Sequence, residues 1–401
     1  MEQPLLIGGA TTSEMHTAVK IEPARKKPVV HVLDASRSVT VVGNLLSETD
    51  RSAFVEGTTS TYASLRDRHA RRHQKQTFLT LEQARANRLQ LEFNASTVPP
   101  AAQTGIHHYD EVGIEELRPY IDWTPFFQAW ELRGKYPALL EHPEKGEVAR
   151  KLMADAQAML NALNDAGSLQ FKGVSGLFPA YSDGDDIILR HSDGTAVLHT
   201  LRQQTEKTPG KPNRALSDFI APEGGPSDHI GMFAVTTGHG VPELVARYEA
   251  DHDDYQAILL KSLADRLAEA FAEYVHEHVR REVWGFEGQT RFSNTELIKE
   301  EYDGIRPAPG YPAQPDHTEK RTIWKVLGAE EATGITLTEH LAMAPAASVC
   351  GLIFAHSEAE YFNLGDVSKD QIQSYAKRKA MPVDEVERWM APRLAYDPEK
   401  E

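Results

Sequence analysis

The stretch GVSGLFPAYSDGDDIILRHSDGTAVLHTLRQQ, residues 173–204, decides the fold class of this chain. It contains two Asp-Gly pairs, Asp183-Gly184 and Asp193-Gly194, and each pair lies between runs that favour β-strands. Asp-Gly between such runs is the strongest short-range signal of a two-residue β-hairpin. The stretch therefore predicts consecutive hairpins, and with them an antiparallel meander.

Strands and helices on the carboxyl side of this stretch extend the pattern. IGMFAVTTG (230–238) and SVCGLIFAHS (348–357) are apolar runs of strand length, and a long helix is predicted between them from Val241 to Trp284. Its apolar stripe is formed by Leu259, Leu263, Leu267, Phe271, Tyr274 and Val275. Strands mixed with blocks of helix indicate an α+β domain with a mixed or antiparallel sheet.

Residues 1–75 have a different pattern. PLLIGGA (4–10) and PVVHVLDA (28–35) predict buried strands with a helix between them, which is a β-α-β fragment. Because a parallel sheet needs more strands than two, residues 1–75 are predicted to be the remnant of a Rossmann-like α/β domain. Residues 76–108 are polar and contain VPPAAQTG, which is typical of a linker. Residues 109–401 then form the larger α+β domain.

The composition and charge of the 401-residue chain exclude several classes of protein. With 43 Lys and Arg against 59 Asp and Glu, the formal charge is −16, so we expect no nucleic-acid partner. Since Cys350 is the only cysteine, an internal disulfide and a multi-cysteine zinc site are excluded, and a reducing, cytoplasmic location fits. No apolar run reaches the ~18 residues that a membrane span needs, so we expect no membrane contact.

HEHVR (276–280) resembles a helical zinc-binding motif only superficially. His276 and His278 are two positions apart, so on a helix they face about 200° away from each other, whereas a shared metal needs an i, i+4 pair. We therefore expect no metal site.

GIRPAPGYPAQPDHTEK (304–320) is the most unusual stretch of the chain. Four prolines and two glycines around one arginine and one tyrosine exclude a helix or a central strand, so this stretch must be a stiff, irregular loop. Such a loop can hold a guanidinium for a carboxylate and main-chain groups for a purine. The alternative is an ordinary surface loop with a solvated arginine.

Within this loop, RPAPGY (306–311) resembles the signature with which the reactivation domain of cobalamin-dependent methionine synthases holds S-adenosylmethionine. Further motifs resemble that family in the same order: IDWTPFF (121–127), LRQQTEK (201–207), HDDY (252–255), LADRLAEAFAEY (263–274) and EVERWMAP (385–392). The resemblance extends over roughly residues 105–401. Several co-linear motifs are far more specific than one short pattern, so they imply the fold and the activity of that family.

The resemblance implies a role for each matching residue of the loop. Arg306 would hold the carboxylate of S-adenosylmethionine, and Ala308 would contribute main-chain contacts. Gly310 and Tyr311 would shape the pocket, and Asp122 would be an acidic contact from the other side. No catalytic acid or base is implied, because the protein's share is to orient the methyl group.

Two further pairs follow from the same resemblance. Tyr361 and Phe362 correspond to the aromatic pair that closes over the ligand. Glu269 and Glu300 would lie farther from it, in support of the contacting residues. For these two acids the alternative is a solvated helix face and an exposed carboxylate.

The amino-terminal residues are similar to the last strands of the family's cobalamin domain. In GGATTS (8–13) and DASR (34–37), Gly8, Gly9 and Ala35 would lie against the nucleotide tail of cobalamin. The family's Asp-x-His-x-x-Gly segment, which carries the histidine on cobalt, is absent from this sequence, as are the homocysteine and folate modules. We therefore expect cobalamin binding only together with the missing part of its domain, and no complete turnover by this chain alone.

The resemblance implies a methyltransferase function as part of cobalamin-dependent methionine synthase. The chain would bind S-adenosylmethionine and support the reductive methylation of inactive cob(II)alamin in methionine biosynthesis. Its partners would be a flavodoxin-like electron donor and the remaining modules of methionine synthase. The alternative is a stand-alone module that binds S-adenosylmethionine or docks a partner without catalysis.

Two basic clusters are candidates for docking an acidic, flavodoxin-like donor, because the chain itself is acidic. They are Lys320, Arg321 and Lys325, and then Lys377, Arg378 and Lys379. Around the second cluster the sequence predicts a pair of short helices, the first capped by Ser368 and Gln371.

Overall fold

The chain divides into two compact units, Met1–Phe78 and Leu79–Glu401, in the computed structural model. The structure describes residues 3–8, 13–32, 35–47, 49–74, 77–288 and 291–398. Among these residues, none of the helices combines the length and the apolar character needed to cross a bilayer.

The first unit contains the predicted β-α-β fragment. Strands β1 (Leu5–Gly8) and β2 (Val29–Val32) are parallel, with Leu5 opposite Val29 and Gly8 opposite Val32. Helix α1 (Glu14–His16) and a π-helical turn lie between them, and α2 (Ala35–Leu46) and α3 (Arg51–Gln74) follow. A small core of Ala18, Tyr62 and Leu65 joins α3 to the π-helical turn. The two strands are too few to decide whether a Rossmann-like sheet once continued here, so that remnant stays a prediction.

A six-stranded antiparallel sheet forms the centre of the second unit. Its strands are β3 (Gly105–Tyr109), β4 (Gln170–Asp183), β5 (Asp186–His191), β6 (Gly194–His199), β7 (Asp228–His239) and β10 (Ser348–Ile353). The order is β10-β7-β4-β5-β6, and β3 pairs with the first half of β4. Both predicted hairpins are confirmed: residues 184–185 join β4 to β5, residues 192–193 join β5 to β6, and Gly184 and Gly194, the latter the first residue of β6, have positive φ. A short pair, β8 (Thr336–Leu337) and β9 (Met343–Ala344), stands apart.

Both faces of the sheet are buried. Along β7, Phe233 and Val235 pack into one core, whereas Met232 and Ala234 pack into a second core on the opposite face. The first core is covered by α6 (Trp123–Ala129), α7 (Gly146–Ala166), α8 (Val241–Ala250) and α9 (Asp254–His278). The second is covered by α11 (Glu319–Leu327) and α12 (Ala329–Thr333). The second unit also contains α5 (Ile114–Leu117), α10 (Asn294–Ile298), α13 (Lys369–Lys379) and α14 (Val383–Met390).

The long helix predicted from Val241 to Trp284 is interrupted. Helix α8 ends at Ala250 and α9 begins at Asp254, because Asp253 caps α9 by accepting from the amide of Gln256 at 3.1 Å. The intervening His252 has a φ of +57°, which turns the chain between the two helices.

Part of the segment predicted as a linker is regular structure of the second unit. Helix α4 (Leu81–Ala86) has a capping box between Thr80 and Gln83, and strand β3 completes the sheet. Arg85 forms an ion pair of 2.7 Å with Asp185. Polar composition predicted a linker, but these polar side chains form caps and ion pairs instead.

The helix pair near the carboxyl end is present, but its predicted capping box is wrong. Ser368 makes no side-chain cap on α13. Gln371 is instead buried, accepts from the amide of Arg202 at 2.7 Å and donates to the side chain of Gln204 at 2.8 Å. The glutamine therefore ties the helix to the segment after β6.

Candidate functional site

The proline-rich loop lies along the end of strand β10. Ile305 and Phe354 exchange two main-chain hydrogen bonds of 3.1 and 2.9 Å, and the amide of Leu352 donates to the carbonyl of Pro307 at 2.8 Å. Gly304 has a φ of +85°, and a Cβ there would lie 2.2 Å from the carbonyl oxygen of Phe354. Because only glycine allows this approach, the strand fixes the backbone where the loop begins.

Gly310 closes a turn at the tip of the loop. Its amide donates to the carbonyl oxygen of Gln314 at 2.7 Å. The amide of Tyr311 donates to the carbonyl oxygen of Ala308 at 3.1 Å. Gly310 has a φ of +95°, and a Cβ there would stand 2.2 Å from the ring of His317. The glycine does not line the cavity described next, but it sets the backbone of the residues that do.

A cavity of about 480 Å³ opens beside the loop, which is within the range of small-molecule sites. Seven residues singled out in the sequence line it: Glu269, Glu300, Arg306, Ala308, Tyr311, Tyr361 and Phe362. The remaining lining comes from the loop, β7, β10 and the segment after it: Phe233, Pro307, Pro312, Ala313, Val349, Cys350 and Asn363. The fold thus brings helix α9, the loop and the aromatic pair to one place.

The guanidinium of Arg306 is held by the protein on one side. Nη1 forms an ion pair with Glu273, donates to Oη of Tyr302 at 3.0 Å and lies 3.3 Å from Nδ1 of His276. Among the described residues, Nε and Nη2 make no hydrogen bond. Burial alone would lower the pKa of Arg306, but the charge of Glu273 raises it above its usual value, so the guanidinium is charged.

The aromatic pair lies next to the loop backbone. Oη of Tyr361 accepts from the main-chain amide of Arg306 at 3.0 Å, and the side chain of Tyr361 is 41% exposed. Phe362 packs against Phe219, with ring centroids 6.3 Å apart. Tyr361 is therefore at the rim of the cavity, and Phe362 is anchored in the core.

Two carboxylates without hydrogen-bond partners in the described part of the chain face this cavity. Glu269 is exposed on α9, and Glu300 has a φ of +55° in the turn after α10. Burial raises the pKa of Glu300, and the nearby Arg306 lowers it in part.

Asp122 is not among the residues that line the cavity. It is the N-cap of α6, and its Oδ1 accepts from the amide of Thr124 at 2.9 Å. This hydrogen bond explains an acid at this position through the helix start alone. Its role as a ligand contact stays a prediction.

The residues predicted to lie against cobalamin belong to the first unit. Gly8 ends β1, where a Cβ would lie 2.9 Å from the carbonyl oxygen of Val32. Ala35 begins α2, and Gly9 lies outside the described residues. The close approach of the two strands is enough to account for glycine at position 8.

A family model of the activation domain of vitamin B12 dependent methionine synthase matches residues 113–380, more than half of the chain. The chain belongs to this family. A crystal structure of the MetH reactivation domain bound to AdoHcy is 50% identical to it, with a TM-score of 0.77. That match covers 80% of this chain and 99% of the solved chain. The predicted α+β fold and the predicted membership of the reactivation domain are confirmed.

A second cleft in this activation domain is larger, at about 700 Å³. It lies between β3 and α9, and His107, Glu116 and His278 are among the residues that line it. None of the residues that the resemblance assigns to S-adenosylmethionine lines this cleft. The smaller cavity is therefore the candidate site of the activation domain.

Three residues at or beside the cavity were not predicted from the sequence: Glu273, Tyr302 and Cys350. Cys350 lines the cavity, and burial raises the pKa of its thiol to about 11, which keeps it protonated. A signal for Glu273 was present, since it follows Glu269 by one helical turn on α9. The prediction for this helix used only its apolar stripe, which does not include Glu273.

Proposed function

We propose that this activation domain binds S-adenosylmethionine in the cavity beside Arg306. The observation that carries the proposal is that one guanidinium with a free edge and two carboxylates share one cavity. S-adenosylmethionine carries a carboxylate, an ammonium and a sulfonium, so the charges of ligand and cavity are complementary. The AdoHcy in the related crystal structure has the same amino-acid and adenosine parts.

The residues of the loop and the aromatic pair would make different contacts with the ligand. Nε and Nη2 of Arg306 hold the carboxylate of the ligand, and the main chain at Ala308 contacts the purine. Gly310 and Tyr311 shape the wall, and Tyr361 with Phe362 covers the ligand from the rim. These contacts fix the direction of the methyl group, which is how binding accelerates a transfer that needs no acid or base.

The proposed reaction is the reductive methylation of inactive cob(II)alamin within methionine synthase. When bound, cobalamin would supply the metal that accepts the methyl group, a flavodoxin-like donor would supply one electron, and the carbon–sulfur bond of the sulfonium would break so that AdoHcy leaves. Cobalamin would be held by Gly8, Gly9 and Ala35 only together with the rest of its domain. The first unit has a cavity of about 560 Å³, whose lining includes Val30, Val32, Tyr62 and Glu14, and Gly8 is not among the described residues that line it.

The docking surface proposed for the electron donor needs a correction. Lys320 is buried and donates to the carbonyl of Leu341 at 2.9 Å, and Lys379 is held by Asp316 and Glu319. These two lysines cannot bind a partner protein, because their ammonium groups are already bonded to groups inside the domain.

Arg378 is also engaged, in an ion pair with Asp186. Only Arg321, Lys325 and Lys377 of the two clusters are exposed. Charge reversal at these three positions should slow reductive reactivation of a complete methionine synthase and flatten its salt dependence. Unchanged rates would remove this surface from the proposal.

Isothermal titration calorimetry of the whole chain tests the proposed ligand. We expect saturable binding of S-adenosylmethionine and of AdoHcy, with one ligand per chain, and no tight binding of free cobalamin. A chain that is folded by circular dichroism but binds neither adenosyl ligand would refute the proposal.

A further inference from the structure

Helix α9 and the π-helical segment that follows it, Val279–Val283, carry a polar stripe that runs under the candidate site. Glu269, Glu273, His276 and Arg280 follow one another at intervals of three or four residues, so they share one face of the helix. Glu269 is exposed, whereas Glu273, His276 and Arg280 are 7%, 0% and 0% exposed. The stripe therefore leads from the cavity into the interior, beneath Arg306.

Glu273 lies between two guanidiniums. Its Oε2 pairs with Nη1 of Arg306, and its Oε1 lies 3.6 Å from Nη1 of Arg280. Nη1 of Arg280 also lies 2.6 Å from Nδ1 of His276, which must accept because arginine only donates. The guanidinium of Arg280 stacks on the ring of Tyr302 at 3.9 Å, so the tyrosine that bonds Arg306 is itself held in place.

The cluster of Glu273, His276 and Arg280 is not optimal for stability. Oε1 of Glu273, Nε2 of His276 and Nη2 of Arg280 are buried without a hydrogen-bond partner in the described structure. A buried charge cluster that leaves polar atoms unsatisfied costs stability relative to apolar packing. What the cluster does provide is a single orientation for Arg306.

We infer that Glu273 and Tyr302 are positioning residues for Arg306, which aim its Nε and Nη2 into the cavity to receive the carboxylate of the ligand. The inference rests on the proposed function. An arginine side chain has many rotamers, and a guanidinium that is fixed before binding loses less entropy when the ligand arrives. Without Glu273 and Tyr302, the guanidinium of Arg306 is free to turn toward solvent or toward Glu300.

Two ligands separate positioning from a general structural role. AdoHcy has the carboxylate that Arg306 would hold, whereas 5′-methylthioadenosine has the adenosine part and no carboxylate. Glu273→Ala should weaken AdoHcy binding by about tenfold or more, because an ion-paired hydrogen bond to the guanidinium is lost. The affinity for 5′-methylthioadenosine should stay within about twofold, since Arg306 does not contact it.

The sign of the AdoHcy effect is itself informative. Removing the negative charge of Glu273 would, through Coulomb attraction alone, strengthen the binding of a carboxylate to Arg306. A loss of AdoHcy affinity in Glu273→Ala therefore indicates that Glu273 orients the guanidinium of Arg306. Glu273→Gln should recover part of the loss, because its amide oxygen still accepts from Nη1 of Arg306.

Tyr302→Phe guards against a folding defect in the Glu273 variants. It removes one hydroxyl, keeps the ring under Arg280, and should weaken AdoHcy binding by about three- to tenfold. Glu282→Ala is the matched control, because this exposed glutamate follows α9 directly and does not line the cavity. Its affinity for both ligands should equal that of the unmodified chain.

Calorimetry with the whole chain and both ligands decides the inference. Selective loss of AdoHcy affinity in Glu273→Ala and Tyr302→Phe, with partial recovery in Glu273→Gln, supports it. Equal losses for both ligands, no recovery in Glu273→Gln, or unchanged AdoHcy affinity would overturn the positioning role while leaving the proposed function intact. Failure of the unmodified chain to bind AdoHcy would overturn both.

Discussion

Arg306 lines the cavity, its Nη1 pairs with Glu273, and its Nε and Nη2 make no hydrogen bond among the described residues. Arg306→Ala should therefore lower the affinity for S-adenosylmethionine by roughly 30-fold or more, corresponding to ~2–5 kcal/mol for the loss of one partner of a charged pair. Arg306→Lys should recover only part of this, since an ammonium lacks the planar fork. Calorimetry of the folded variants measures both effects.

Arg247→Ala is the matched control for this substitution. Arg247 is an exposed arginine on α8 that does not line the cavity, so its loss should leave the affinity unchanged. If Arg306→Ala binds within about threefold of the unmodified chain, a difference of only ~0.65 kcal/mol, the proline-rich loop is not the ligand site.

Gly310 combines a positive φ with a close neighbour, which makes it sensitive to a single added carbon. Gly310→Ala should lower the free energy of unfolding by at least about 1–2 kcal/mol from backbone strain, and further because its Cβ would collide with His317. Gly210 has a φ of +83° with nothing within 4 Å of an added Cβ, so Gly210→Ala reports strain alone. Chemical denaturation that gives equal losses for the two variants would contradict the packing argument.

At the scale of elements, the start of α9 determines where the polar stripe meets the loop. Asp253 caps this helix, and Asp253→Ala should lower the free energy of unfolding by about 1 kcal/mol. Asp251 is the control, because it is an exposed acid nearby that ends α8 and makes no side-chain hydrogen bond within the described residues. Denaturant titration should show the loss for Asp253→Ala only, and equal values for the two variants would exclude a capping role.

The secondary-structure elements were predictable to different degrees. The hairpins were predicted correctly because the turns at residues 184–185 and 192–193 depend on local backbone geometry. The break between α8 and α9 was missed, although Asp253 with Gln256 three residues later is a sequence signature of a helix start, and the structure shows this cap. By contrast, the buried amide of Gln371 has no local sequence signal.

At the scale of the whole molecule, buried and half-buried histidines connect stability to pH. Burial is the largest cause of a lowered pKa at each of five histidines: His107, His229, His276, His278 and His317. His276 lies deepest, and the charges of Arg280 and Arg306 lower its pKa further. In the folded chain these rings stay neutral at a pH where they would be protonated in the unfolded chain.

The sign of the pH dependence follows from this difference. Below about pH 6.5 the unfolded state binds protons that the folded state cannot, so each such ring lowers the stability by up to ~1.4 kcal/mol per pH unit. The pKa of Asp185 is also lowered, because Arg202 and Arg85 outweigh the effect of burial, but its contribution is lost only below its unfolded pKa, near pH 4. The contribution of the histidines should thus already fall between pH 6.5 and 5.5, whereas acids whose pKa is raised by burial, such as Glu300 and Glu287, contribute with the opposite sign.

His276→Gln isolates the largest contribution. Between pH 6.5 and 5.5, the free energy of unfolding of the variant should fall by about 1 kcal/mol less than that of the unmodified chain. The reason is that the variant lacks a buried ring that stays neutral in the folded state. Urea unfolding at a series of pH values measures the difference. Parallel stability curves for the two chains would show that His276 does not titrate differently on unfolding.

The candidate site was predicted in part, for a physical reason. Arg306 and Tyr361 could be named because co-linear motifs identify a family, and the structure places both at one cavity. Asp122 was assigned to the ligand by the same resemblance, yet the helix that it caps does not border the cavity. A sequence motif indicates which residue occupies a family position, but it does not indicate how far that residue lies from the rest of the site.

By itself, the sequence determined the two hairpins, the α+β class and the stiff loop around Arg306, because turns, strand alternation and proline content act over a few residues. Only the tertiary structure decided which groups hold Arg306 and which lysines are buried. Glu273 meets Arg306 from a helix 33 residues away in the chain, and Lys379 meets Glu319 across 60 residues. Such contacts depend on how helices pack on the sheet, and this packing is a property of the whole domain.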